Sequence, residues 1–78
     1  MEQKLKQDIS IGKNIRALRQ KSSLTQEQVA AKLQLQGISM SRDFYSHIEC
    51  GDYNIRISEL AALRRIFDCE YNDFFQDI

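Results

Sequence analysis

The side chains best equipped for bond-making chemistry are few: one histidine, His47, and two cysteines, Cys50 and Cys69, in a chain of 78 residues. A histidine works as a base or a metal ligand only beside an orienting acid, a nucleophile or further ligands. No Asp, Cys or Ser stands in such an order around His47. The cysteines lack the C-x-x-C spacing of a zinc or redox site and are too few for a disulfide framework. They are expected to be free thiols, one of them in the core. No paired carboxylates and no glycine-rich phosphate loop can be built from the remaining residues. The expectation is a protein that is not an enzyme and needs no metal or cofactor, whose polar side chains serve recognition.

Charge points to what is recognised. Lysine and arginine total 11, as do aspartate and glutamate, so the net charge is zero. The distribution is uneven. Residues 1–42 hold eight Lys/Arg against three Asp/Glu, and residues 43–78 hold three against eight. Binding a polyanion requires one positive face, not a positive total. Ordinary scatter on a small domain would also give an asymmetry, so charge alone decides nothing.

The elements that must position these groups are helical. There is no proline, and glycines stand only at 12, 37 and 51. Residues 1–9 form a polar N-terminal arm, and residues 10–78 are expected to fold as one all-α domain of five helices. Ile11, Ile15 and Leu18 recur at helical spacing and predict a first helix over about Ser10 to Lys21. Gly12 near its start weakens that helix or permits a close approach. Thr25-x-x-Gln28 is a capping box, and Leu24 with Val29 occupies the positions of a hydrophobic staple. The second helix, carrying Val29, Ala30 and Leu33, runs to about Gln36, with Gly37 as its left-handed stop. Ser41 caps a third helix, flanked by the staple pair Met40 and Tyr45, and Gly51 closes it. A fourth helix spans about Ile57 to Phe67 with Ile57, Leu60, Leu63, Ile66 and Phe67 in the core. A short fifth covers about Tyr71 to Gln76. Apolar runs are too short to cross a membrane. The first ten residues lack the apolar stretch of a secretion signal. The cytoplasm is therefore the expected compartment.

Two short helices joined by a brief turn in a small all-helical domain are the physical core of helix-turn-helix DNA binding. The sequence resembles one such family closely. Ile11-Gly-x-x-Ile15-Arg16-x-Leu18-Arg19, Leu24-Thr25-Gln26-x-Gln28-Val29-Ala30-x-Lys32-Leu33 and Ser46-x-Ile48-Glu49-x-Gly51 together resemble the Cro and phage-repressor family, also called the XRE family, over Ile11 to Phe74. The resemblance implies a lambda-repressor-like fold and a sequence-specific transcriptional regulator, a repressor above all, that binds double-stranded DNA. The contexts it implies are phage, mobile-element or toxin–antitoxin operons. It also implies that Gln26 bonds a DNA phosphate and that Arg19 pairs with Glu49. The third helix would then read the major groove through Ser41, Arg42, Asp43, Phe44, Ser46 and His47. Tyr53, Asn54 and Arg56 would lie along the duplex backbone. One departure stands out. Six residues, Gln34 to Ser39, separate Leu33 from Met40, far more than in the common pattern. That spacing resembles a branch of the family with a lengthened connection, and it requires a longer second helix, a longer turn, or both.

Each candidate has two readings. Arg42 is either a solvated charge or a bidentate grip on guanine O6 and N7. Asp43 either serves the helix dipole or accepts from a cytosine amine. Phe44 is either core, displaced there by the long turn, or a contact to a thymine methyl. His47 is a surface or phosphate-contacting residue. A protein-interaction module on the same fold, binding a protein partner through its acidic half with little DNA binding, is the rival function; Asp43 and the zero net charge favour it. Finally, Tyr71, Phe74, Phe75 and Ile78 recur at i, i+3, i+4 and i+7. This stripe either caps the core in part and is otherwise exposed, or forms an isologous homodimer interface, which implies a palindromic operator.

Overall fold

Each α-helix among the described residues is stopped by the same local device. The computed structural model describes residues 10–77; the N-terminal arm expected over 1–9 and Ile78 of the aromatic stripe lie outside them. Among the described residues are four α-helices: α1 (Gly12–Lys21), α2 (Gln26–Leu35), α3 (Arg42–Cys50) and α4 (Ile57–Phe67). After each one a residue turns left-handed, Ser23, Gly37, Gly51 and Asp68 in order, with φ between 50° and 84°. The next N–H then reaches back five residues, as in Leu24 to Arg19 O (3.2 Å), Ile38 to Leu33 O (3.0 Å), Asp52 to His47 O (3.2 Å) and Cys69 to Arg64 O (3.2 Å). That bond occupies a carbonyl the helix end would otherwise orphan.

The starts are equally local. The Thr25 hydroxyl accepts from the Gln28 N–H at 3.1 Å while the Gln28 side chain accepts from the Thr25 N–H at 2.9 Å. Such a reciprocal cap contributes about 1 kcal/mol. Ser41 Oγ accepts from the Phe44 N–H at 3.1 Å and opens α3. α1 begins at Gly12, slightly later than expected, because the Ser10 hydroxyl accepts the Gly12 N–H at 3.1 Å from outside the helix. The lengthened connection resolves into turn: α2 stops at Leu35 and residues 36–41 bridge to α3.

One core serves all elements. Ile11, Ile15, Val29, Leu33, Tyr45, Ile48, Ile55, Leu60, Ala62, Leu63, Phe67 and Phe74 are buried together. Two expectations change here. Ile57 is 48 % exposed, and Ile55 in the preceding loop is fully buried. The loop delivers an isoleucine inward before α4 begins, which leaves the first residue of that helix facing out. The expected fifth α-helix is a five-residue 3-10 helix, Tyr71–Phe75. Its end is held from elsewhere: Asn14 Nδ2 on α1 donates to Phe74 O at 2.8 Å and to Gln76 O at 2.9 Å. Those carbonyls are thereby satisfied without another helical turn. The element is a plug that seats Phe74, which is fully buried. Phe74 therefore leaves the proposed dimer stripe, since a side chain with no exposed surface cannot meet a second copy.

The placement of α3 on α1 rests on Gly12, which is buried. A Cβ there would stand 2.8 Å from the Ile48 carbonyl oxygen and 2.9 Å from the Glu49 carbonyl carbon. Both neighbours are backbone and cannot rotate away. Of the two roles open to Gly12, the close approach is the one realised. Gly12→Ala is expected to cost about 2 kcal/mol or more, although alanine has the better helix propensity by about 1 kcal/mol. Thermal unfolding checks it, with a fall in Tm on the order of 10 °C for a domain of this size.

Candidate nucleic-acid interface

Of the residues expected to act on DNA, Gln26 opens α2, Ser41 to His47 cap and line α3, and Tyr53, Asn54 and Arg56 lie in the loop that follows it. Gln26, the first residue of α2, is half-buried, and its Nε2 donates to Glu49 Oε1 at 3.0 Å. Arg19 donates to the same carboxylate in a forked arrangement, Nε to Oε2 at 2.7 Å and Nη2 to Oε1 at 3.3 Å. A third Arg19 bond runs from Nη1 to Leu24 O at 2.9 Å. The expected Arg19–Glu49 pair is therefore present, and it sits deep: the Glu49 side chain is 4 % exposed and that of Arg19 13 %. Burial pushes the Glu49 carboxyl up, but hydrogen bonding, led by Arg19, outweighs it and holds the group below its ordinary value. The Tyr45 hydroxyl, buried in the same region, makes no hydrogen bond among the described residues. Burial and the nearby carboxylate keep it from ionising anywhere near the usual phenol range.

Above this pair opens a cleft of about 620 Å³ between α1, α2 and α3. Arg16 of α1 and Arg42 of α3 line it, with Thr25 and Gln26 at the α2 start and Cys50 at the end of α3. Arg16 and Arg42 are both exposed. The Thr25 cap occupies the Gln28 N–H; by helix geometry the N–H groups of the first α2 residues have no intrahelical partner. The exposed Glu27 carboxylate lines the cleft too; against that acid stand two guanidiniums and the positive end of a helix dipole, a balance that favours an anion.

The first turn of α3 distributes its side chains in three directions. Tyr45 enters the core, Arg42 lines the cleft, and Phe44 leans on the loop after Gly51. The Phe44 and Tyr53 rings meet edge to face, with centroids 4.9 Å apart and planes at 81°. Asp43 and His47 are exposed between these flanks. Each basic group on α3 has an acid nearby: Arg42 Nη1 lies 3.4 Å from Asp43 Oδ1, and His47 Nδ1 lies 3.2 Å from Asp52 Oδ2. Ser46 Oγ donates to Asp43 O at 2.6 Å, and Ser41 is occupied as the cap. Asn54 and Arg56 are exposed in the loop that carries Tyr53.

A family model described as helix-turn-helix matches residues 15–74, most of the chain. The chain belongs to the XRE-family helix-turn-helix proteins. No curated protein and no solved structure matches it. The family is one of DNA-binding regulatory domains, and in this helix-turn-helix domain α2 and α3 are the paired helices. Among the described residues no helix is long and apolar enough to cross a membrane.

Within the helix-turn-helix unit the structure adds Arg16, which is absent from the sequence-derived set. Its position three residues before Arg19 on α1 was the available signal, since one helix face carries both. What the sequence could not supply was the angle that brings this face over the start of α2. Gln26 also proves to be shared, with one amide N–H committed inward to Glu49 and the other not needed there.

Because three elements meet on Glu49, the unit's stability and its geometry are tied. Glu49→Gln is expected to cost about 2–4 kcal/mol at neutral pH, since Arg19 is left buried without its counter-charge. Combined with Arg19→Met, the losses should fall short of additive by about 1–3 kcal/mol. The pH dependence has a definite sign. A carboxyl whose folded value is lowered stabilises the fold above its unfolded value and loses that contribution as pH falls through the folded one. The gap between parent and Glu49→Gln should therefore close on acidification below the ordinary carboxylate range; urea titrations at stepped pH measure it.

Proposed function

We propose that this chain is a sequence-specific, cytoplasmic DNA-binding transcriptional regulator that represses by occupying its operator, with α3 in the major groove. The observation that carries this reading is the cleft in which Arg16 and Arg42 flank the capped start of α2. A backbone phosphate seated there meets the Arg16 guanidinium and the open N–H groups of the helix, with Arg42 left to turn toward the bases. The second N–H of the Gln26 amide is available to the same phosphate. A phosphate contact fixes register without reading sequence. It would hold α3, tied to the same cleft through Glu49, at one depth in the groove.

Reading then falls to the exposed groups of α3. Arg42 can leave Asp43 for guanine O6 and N7, because an exposed pair at 3.4 Å holds it weakly. Asp43 accepts from a cytosine amine, and the pairing of the two acids with Arg42 and His47 lowers attraction to arbitrary sequence. Ser41 and Ser46 border the groove, and Tyr53, Asn54 and Arg56 follow the phosphate backbone on the far flank. No catalytic step is assigned to any of them.

Assembly as a homodimer completes the proposal. Tyr71 is 46 % and Phe75 43 % exposed on the terminal 3-10 helix. The Tyr71 ring already carries the Arg64 guanidinium 5.2 Å from its centroid. Phe75 is thus the better anchor for a two-fold contact.

Two measurements test this. Fluorescence anisotropy on duplex DNA should show an affinity that falls linearly in log–log form with salt. Arg42→Ala should lose about 1–3 kcal/mol on a selected site and relax one base pair of its preference. Arg16→Ala should weaken all sequences alike and reduce the salt slope by about one. Absence of binding across the whole salt range would instead favour a protein-interaction module. Separately, sedimentation at tens of micromolar should give a dimer for the parent and a monomer for Phe75→Glu; one common species for both would remove this dimer surface.

A further inference from the structure

Phe44 is the side chain on α3 whose placement is hardest to explain by folding alone. It is 47 % exposed, in the first turn of the helix and beside Asp43. An apolar ring left half in water forgoes burial that the core could have provided, and Tyr45 takes that place one residue later. Yet Phe44 is not loose. Tyr53 presses edge-on against it. The Tyr53 hydroxyl in turn donates to Glu59 Oε2 at 3.3 Å. Glu59 is 6 % exposed, and its other oxygen accepts the Arg56 N–H at 2.8 Å. A chain of contacts from the start of α4 thus holds an exposed aromatic ring in place on the helix proposed to enter the groove.

A phenyl ring offers no hydrogen bond to a base edge. The apolar feature of the major groove is the C5 methyl of thymine. We propose that Phe44 reads a thymine 5-methyl group and that Tyr53, anchored on Glu59, is the positioning residue that makes the contact selective. The proposal rests on the DNA-binding reading above and specifies part of the operator: at least one thymine lies under the Phe44 flank of α3, opposite the flank that Arg42 occupies. A pre-positioned ring suits this task, because a methyl contact is small and would be offset by the entropy of ordering a free side chain.

The test removes the methyl and nothing else. A site selected from a random duplex pool with the full chain is resynthesised with each thymine in turn replaced by deoxyuridine. Anisotropy titrations then compare the parent, Phe44→Ala, Phe44→Leu and Tyr53→Leu, each checked by circular dichroism for retained helix. At one or two positions the uridine should weaken the parent about three- to fivefold. At those positions Phe44→Ala should be indifferent to the methyl and Phe44→Leu should keep part of the effect. Tyr53→Leu keeps the Phe44 side chain but frees it from its support and should lose most of the discrimination; it carries the test if Phe44→Ala loses helix. Equal uridine penalties in the parent and in the Phe44 variants would assign the methyl to another residue and overturn the proposal, as would the absence of any sensitive position. Either result leaves DNA binding standing. Failure of the chain to bind the unmodified duplex would overturn the functional reading and this proposal together.

Discussion

A carboxylate almost wholly removed from water, Glu49, holds this molecule's working parts together. Left alone it would cost several kcal/mol to bury. It accepts instead from two nitrogens of Arg19 and one of Gln26, so each of the three helices around the cleft contributes one side chain to a single charge centre. Removing either charged partner strands the other in a low-dielectric setting, and removing Gln26 leaves the carboxylate one donor short. The forked geometry of the guanidinium matters as much as its charge, because two parallel bonds fix a direction as well as a distance. The α3 axis is therefore set relative to α1 by a directional contact at one end and by the backbone approach at Gly12 along its length.

These two constraints act on different chemistry and reinforce each other. Gly12 allows the Ile48 and Glu49 carbonyls close to α1, and that approach brings the Glu49 side chain within reach of Arg19 on the same helix. A larger residue at 12 would separate the helices and lengthen the ion pair. The reading surface thus inherits its precision from contacts it does not itself display. The exposed pairs on α3 contribute little to stability by comparison, which leaves Arg42 and His47 able to exchange partners when a duplex arrives.

Much of this was legible in the residues because it is local. Capping hydroxyls at Thr25 and Ser41, glycines at 37 and 51, and the spacing of Ile15, Val29 and Leu33 act within a turn or two of themselves, and the structure follows them. The Arg19–Glu49 contact came through resemblance, since nothing in the spacing of 30 residues announces it. What was lost is what depends on relative orientation. Periodicity at Tyr71, Phe74 and Phe75 suggested an α-helix, but Asn14, some 60 residues away, takes the carbonyls that would have continued it. Ile57 fits the helical stripe of α4 on paper, while Ile55, outside any periodic pattern, fills the core. Phe44 could not be placed from sequence at all: core and surface were both consistent with its neighbours, and only the position of Tyr53 separates them.

The six-residue connection between α2 and α3 is closed at both ends by its own bonds. Gly37 and Ile38 finish one helix, and Ser41 begins the next. The strip between them is fastened as well: Ile38 and Met40 pack against the core, and Gln36 reaches α4, accepting from Arg65 Nε at 2.8 Å and donating to Ala62 O at 3.4 Å. The connection is therefore a clasp and not a slack link. The added length of chain is held down between its two ends, so residues inserted or removed there would disturb the grip on α4 as well as the entropy of closing the loop.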